Sequence, residues 1–318
     1  MPLFDRYVMV DWSGGNSRRS NKKDAIWIAH GDRTAATPTT MSPPSRSEAE
    51  NAVRELVAPF AASREPKRVL VCFDFAYGYP KGFACCLSKV PPTRGVPPWV
   101  RVWRHLAVAV RDDLQMRAGG KPSNKSNRFQ VADAINQHLS PPAGPFGPFW
   151  CLFKPRSQKH VPQSQPQSPF VTRSGTRIHA QRLTDLRAQS DTAFRLFGTG
   201  SVGSQILTGI LRLARLRFDP ALSSVSRVWP FETGWATGDN WLTSTVRILH
   251  AEIYPSVREP LEDAIKDRGQ VRAMWRWAHE LDIRDELRDE LRVPSGVALG
   301  SADDRAIRSE EGWILGAH

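Results

Sequence analysis

Three apolar runs in this chain each end on an acid. Tyr7, Val8, Met9 and Val10 lead into Asp11; Val69, Leu70, Val71, Cys72 and Phe73 lead into Asp74; Ile248, Leu249, His250 and Ala251 lead into Glu252. Turn-forming residues follow each: Ser13, Gly14 and Gly15; Gly78, Tyr79 and Pro80; Tyr254 and Pro255. Buried strands of a parallel sheet read as near-continuous apolar runs. An ionised carboxylate inside such a run is costly unless it is paired or holds a metal. The pattern therefore predicts a sheet with carboxylates gathered at strand ends, where they could hold a divalent cation.

The remaining periodicities place these strands in an α/β protein. Residues 7–12 and 24–30 read as two strands joined by a polar, basic loop. Ser47 with Glu50 three residues later reads as a capping box, followed by Val53, Leu56, Val57 and Phe60 at helical spacing. After the strand 68–74, helices are expected over 97–117, 127–139 and 204–217. Strands follow over 225–231 and 246–252, and closing helices over 260–280 and 282–292. This order divides the chain into a first part of a core (1–80), a helical and loop-rich insert (81–200), and a second part of the core with C-terminal helices (201–318). No internal repeat is visible.

Composition narrows the function classes. Apolar residues make up 40% and charged residues 24%, as in globular proteins. No apolar stretch approaches the roughly 18 residues of a membrane span, and the first residues lack a basic region followed by an apolar one. A cytoplasmic protein without a membrane partner is expected. Cys72, Cys85, Cys86 and Cys151 show no C-x-x-C spacing and read as reduced thiols. Lys and Arg number 44 against 32 Asp and Glu, a net charge of +12. The excess is concentrated between Lys154 and Arg217, where Asp185 and Asp191 are the only acids. Such a stretch is an electrostatic footprint for phosphate-bearing partners, although ordinary surface arginines produce the same count.

Hard divalent cations prefer oxygen ligands, and magnesium is usually held by one or two carboxylates, waters and substrate phosphates. Asp11, Asp74 and Glu252 could bind Mg2+ or Mn2+ if their strands are neighbours; the alternative for each is to cap a turn. Gly198, Gly200 and Gly203 fit G-x-G-x-x-G after a possible strand at 193–197, which would bind a nucleotide or dinucleotide. The same glycines could simply allow tight packing, or bind phosphate through backbone N–H groups. The eight histidines show no zinc spacing. His250, two residues before Glu252, reads as structural, with a catalytic neighbour as the alternative. The eleven tryptophans could stack bases, but read more readily as core.

Several segments carry a resemblance. Val10 to Gly14, Phe73 to Pro80, Ala251 to Ser256 and Glu310 to Gly316 resemble a family of uncharacterised bacterial proteins related to the predicted RNase H-like nucleases of unknown function. Matches at 127–129, 200–205 and 265–267 extend the resemblance over nearly the whole chain. It implies an RNase H-like mixed sheet flanked by helices, with acids at the first strand, the fourth strand and a later element. Carried over by residue, Asp11 and Asp74 take the strand positions and Glu252 is the third acid. Asp267 is the fourth, with Asp303 or Asp304 behind it. Relatives are sometimes labelled with molybdopterin guanine dinucleotide synthesis, but no nucleotidyltransferase signature opens this chain. The leading expectation is a Mg2+- or Mn2+-dependent phosphodiesterase acting on nucleic acid, DNA or RNA. Ser13, Arg18, Arg19, Lys22 and Lys23 would meet substrate phosphates. The alternatives are a nucleotide-binding protein using the 198–203 loop, and a non-catalytic nucleic-acid-binding module.

Overall fold

The computed structural model describes residues 1–87, 95–113, 123–198, 201–238 and 241–317. The chain runs β1 (Arg6–Asp11), β2 (Trp27–Asp32), β3 (Thr39–Met41), α1 (Arg46–Ala62), β4 (Val69–Phe73), α2 (Phe83–Cys86), α3 (Pro98–Ala109) and α4 (Arg128–Leu139). It continues through β5 (Phe170–Val171), β6 (Arg177–Ile178), α5 (Leu183–Ala188), α6 (Gly203–Arg217), β7 (Ser226–Val228) and β8 (Ile248–Glu252). It closes with α7 (Lys266–Ile283), α8 (Leu287–Glu290) and α9 (Ala302–Ala306). Six strands form one mixed sheet in the order β3-β2-β1-β4-β8-β7, and β5 pairs only with β6. Within the six, β2 alone runs against the others. The protein is thus α/β, a mixed sheet flanked by helices.

Strand register sorts the side chains onto two faces. Val10, Phe73 and Glu252 stand abreast across β1, β4 and β8. Because side chains alternate along a strand, these three share a face, and Met9, Cys72 and Ala251 point the other way. The first face, with Val8, Val10, Val71 and Phe73, packs against α1, α3 and α6 through Val53, Val57, Trp103, Leu106, Ile206 and Ile210. The second, with Tyr7, Met9 and Ala29, packs against α7 through Val271, Met274, Trp275 and Ala278. Residues of the expected insert, among them Phe83, Phe129, Phe149 and Phe194, belong to the same core as the first face. Among the described residues, no helix is long and apolar enough to cross a membrane.

Several boundaries differ from the sequence reading for identifiable reasons. α1 is capped by Ser45, whose Oγ accepts the Glu48 N–H at 3.2 Å, two residues earlier than expected. Glu50, the expected partner in the box, is instead drawn to Arg54 and Arg212 at 2.9 and 3.0 Å. The segment expected to open the next-to-last helix does not coil until Lys266. Asp263 accepts from Ile265 N–H and both Arg268 and Arg272, fixing a turn before α7. The stretch 193–197 is not a strand of the sheet; Arg195 makes only an isolated bridge with Trp150.

Candidate functional site

Register decides which acids meet. Asp11 follows Val10 and Asp74 follows Phe73, so both turn to the α7 face at the carboxyl ends of two adjacent parallel strands. Asp74 N–H donates to Val10 O at 3.1 Å, extending the pairing of the strands to this residue. Asp74 Oδ1 accepts the Trp12 N–H at 2.6 Å. The two carboxyls lie close enough for each to act on the titration of the other. Burial, then the charges of Asp74 and Asp267, hold the Asp11 carboxyl well above the usual carboxylate range. Burial is also the main cause that pushes Asp74 up to about 7, against the opposing hydrogen bonds from Trp12 and Asp11. Two like charges this close cannot both ionise cheaply.

The third member comes from α7. Asp267 lies in its first turn, where a carboxylate is favoured by the positive helix end. Its Oδ2 accepts the Asp24 N–H at 2.6 Å, tying α7 to the loop between β1 and β2. Asp24 adds a third negative charge acting on Asp11, after those of Asp74 and Asp267. The sequence reading did not single out Asp24, because it sits at a loop end with no apolar run before it.

Glu252 is not part of this group, a correction to the expectation that its strand position would bring it in. As the last residue of β8, abreast of Phe73, it projects to the opposite face. There its carboxylate is held by the Arg182 guanidinium at 2.6 and 2.7 Å and by the Tyr77 N–H at 3.0 Å. Asp185 shares the same arginine at 2.7 Å. Burial raises the Glu252 carboxyl and Arg182 opposes it. Next to this cluster, Glu311 accepts from Lys81 and Leu183 N–H groups, and Glu310 from Gly82 and Ala84 N–H groups. A Cβ on Gly78 would lie 2.1 Å from Glu310 O. The segments 73–80, 252 and 310–314 therefore close on one another around the Glu252–Arg182 pair, with Glu310 and Glu311 held by backbone N–H groups. Sequence spacing gives no sign of the Arg182 partner, which lies 70 residues from Glu252.

The expected substrate groups border the acids unevenly. Ser13 Oγ donates to Asp24 O at 2.9 Å and holds the loop itself. Arg18 pairs with Glu48 at 2.9 Å and Arg19 stands 3.6 Å from Asp24. Lys22 and Lys23 are exposed. Two further contacts brace the strand end: Arg46 Nη1 donates to Ser13 O and Gly15 O at 2.9 and 2.7 Å, and Gln205 Nε2 to Trp12 O at 2.7 Å.

The glycine loop serves packing where it is described; Gly200 lies outside the described residues. A Cβ on Gly203 would meet Arg195 O at 2.6 Å, so α6 can start this close to the chain before it only with glycine there. Gly198 has a φ of 104°, a left-handed conformation that favours glycine. No sheet strand leads into the loop, so the βαβ context of a dinucleotide site is missing. His250 is buried with Nε2 2.9 Å from Ser226 Oγ, and burial lowers it to about 3, keeping it neutral. Trp99 stacks on Phe231 at 5.1 Å within the core, and Trp103, Trp229 and Trp235 are buried.

Among the described residues, no group of three or more His, Cys, Asp or Glu side chains stands in a geometry that holds a metal ion. One oxygen of Asp267 is engaged by the Asp24 N–H, while its charge acts on both Asp11 and Asp74. No protein-family model, curated protein or solved structure matches the chain.

Proposed function

We propose that the chain is a divalent-metal-dependent phosphodiesterase acting on nucleic acid, built on an RNase H-like sheet, with Asp11 and Asp74 as its central carboxylates and Asp267 beside them. The observation that carries this reading is the Asp11–Asp74 pair, two carboxyls pressed together at adjacent strand ends. A mixed sheet flanked by helices, with acids at the ends of β1 and β4 and in α7, supports the reading. Oxygen-only donors suit Mg2+ or Mn2+. The mutual repulsion that now retains a proton is the kind of strain that a cation relieves.

When bound, such a cation supplies an activated water and charge stabilisation at the phosphorus. The chain's own residues do the rest. Trp12 N–H orients the Asp74 carboxylate, and Arg46 and Gln205 fix the loop that carries the backbone past Asp11. Lys22 and Lys23 lie exposed on that loop, where they can meet a polyanion.

The test is calorimetric titration of Mn2+ and Mg2+ into wild type and an Asp11→Asn/Asp74→Asn double variant, with cleavage assays on single- and double-stranded DNA and RNA. Metal binding and cleavage in the wild type, both lost in the variant, are expected. Cleavage that survives the double substitution would remove these carboxylates from the reaction.

A further inference from the structure

Cys85 and Cys86 adjoin in the sequence and close the short helix α2. Neighbouring residues on a helix do not ordinarily face each other, yet these two sulfurs stand 3.5 Å apart. Cys85 is exposed and Cys86 is buried, so the pair meets solvent on the Cys85 side. Cys85 Sγ also lies 3.0 Å from Gly82 O, and its proton can serve either neighbour.

The tip of the β5–β6 hairpin lies against the pair. These two strands pair only with each other, and Gly175, at a φ of 82°, turns the chain between them. The turn sets three hydroxyls in a row: Thr172 Oγ1 to Ser174 Oγ is 3.0 Å, and Ser174 Oγ to Thr176 Oγ1 is 3.2 Å. Cys86 Sγ lies 3.9 Å from Thr172 Oγ1 and 3.8 Å from Ser174 Oγ. Its hydrogen bond with Cys85, then those with Thr176, Ser174 and Thr172, lower the Cys86 thiol against the effect of burial. The same contact with Cys86 raises Cys85. One sulfur is thus favoured as thiolate and its neighbour as thiol. The thiolate is the attacking form, and oxidant-sensitive cysteines combine that character with a second thiol alongside. The other two cysteines differ: Cys72 is buried, which pushes its thiol up, and Cys151 Sγ donates to Phe197 O at 3.1 Å.

We propose that Cys85 and Cys86 form a peroxide-reactive dithiol, with Cys86 as the attacking sulfur and Cys85 as the resolving one. The Cys86 thiolate attacks one oxygen of hydrogen peroxide and the O–O bond breaks. The departing hydroxide takes a proton and leaves as water, and Cys86 becomes a sulfenic acid. Cys85 then attacks the Cys86 sulfur and the S–O bond breaks. The hydroxide released takes the Cys85 proton and leaves as a second water. The two sulfurs together lose two electrons to the peroxide and end as a disulfide. Adjacent Cα atoms across a trans peptide are about 3.8 Å apart, short of the roughly 4.4–6.8 Å usual for a disulfide. The bond therefore closes under strain and is easily reduced again. The site uses none of the residues of the Asp11–Asp74 centre and does not depend on the phosphodiesterase reading.

The experiment treats the reduced full chain with hydrogen peroxide and maps its cysteine peptides by mass spectrometry without reductant. The peptide holding Cys85 and Cys86 is expected to lose two hydrogens and to regain them in dithiothreitol, while Cys72 and Cys151 stay reduced. In Cys85→Ser the disulfide cannot form, and Cys86 is expected to stop at the sulfenic acid, which dimedone traps. In Cys86→Ser, dimedone labelling of Cys85 should be slower by about tenfold or more, because an ordinary thiol is only a few per cent thiolate near neutral pH. Equal labelling rates in the two variants overturn the assignment. So does a wild-type pair that stays reduced while Cys72 or Cys151 oxidises, or a disulfide that forms only between chains. If Cys86→Ser does not fold, Cys85→Ser, altered at an exposed position, decides: absence of a dimedone adduct on Cys86 overturns the proposal.

Discussion

The backbone N–H of Trp12 donates to Asp74 Oδ1 at 2.6 Å, fastening the carboxylate at the end of β4 to the residue that follows Asp11. The main chain thereby holds the two acids beside each other, and burial raises both carboxyls. A site pre-assembled in this way differs from acids that merely cap separate turns.

Metal binding should therefore displace protons. Calorimetry of Mn2+ binding in buffers of different ionisation enthalpy is expected to show proton release near neutral pH, since a ligating carboxylate must be deprotonated. Equal heats in every buffer would place the cation elsewhere.

Asp74 should make stability depend on pH in a defined direction. Its folded pKa of about 7 lies above the unfolded value of about 3.9, so the native state holds the extra proton between these limits. Its contribution to stability is then complete at low pH and is lost as pH rises from about 4 to about 7. Relative to wild type, Asp74→Asn should gain roughly 1–3 kcal/mol over that range, the figure discounted for the partial exposure of the pair. Urea denaturation of both proteins at pH values across the window measures the difference; a constant gap contradicts the shift.

Glu252→Gln should behave as a structural lesion. It leaves the buried Arg182 charge short of a partner, a loss of about 3–5 kcal/mol in comparable cases. Denaturation midpoints should fall while Mn2+ affinity of the folded variant stays unchanged. A selective loss of metal binding with stability intact would return Glu252 to the carboxylate centre.

Gly203→Ala tests the glycine loop. With its Cβ 2.6 Å from Arg195 O, the variant should lose about 1–3 kcal/mol through overpacking. The loss should be the same with or without NAD or ATP. A wild-type melting temperature raised by either nucleotide, and a variant that fails to respond, would favour the dinucleotide reading instead.

Asp282 anchors the start of the chain. It accepts from Leu3 N–H, Phe4 N–H and the Tyr7 hydroxyl at 2.7, 2.9 and 2.7 Å. Asp282→Ala leaves three buried donors without their acceptor and should cost at least roughly 1–3 kcal/mol. Thermal unfolding measures it, and metal binding should be unaffected.

Local sequence is enough to mark the strands and the two acids that close them. Apolar runs closed by Asp11 and Asp74 are legible because a buried strand tolerates a charge only at its end. Asp267 is named by the resemblance alone, since an acid in a first helical turn is too common a pattern to mark a site. Which acids share a face, and which charges are answered, depends on the packed fold. Glu252 ends an equally apolar run, yet it lies abreast of Phe73 rather than Asp74, and one residue of register sends it to Arg182 on the far side of the sheet. Ser45 rather than Ser47 caps α1, with Glu48 as its partner, while Glu50 pairs with Arg54 and Arg212. Face and counter-charge depend on partners brought from distant parts of the chain, and local spacing carries no record of them.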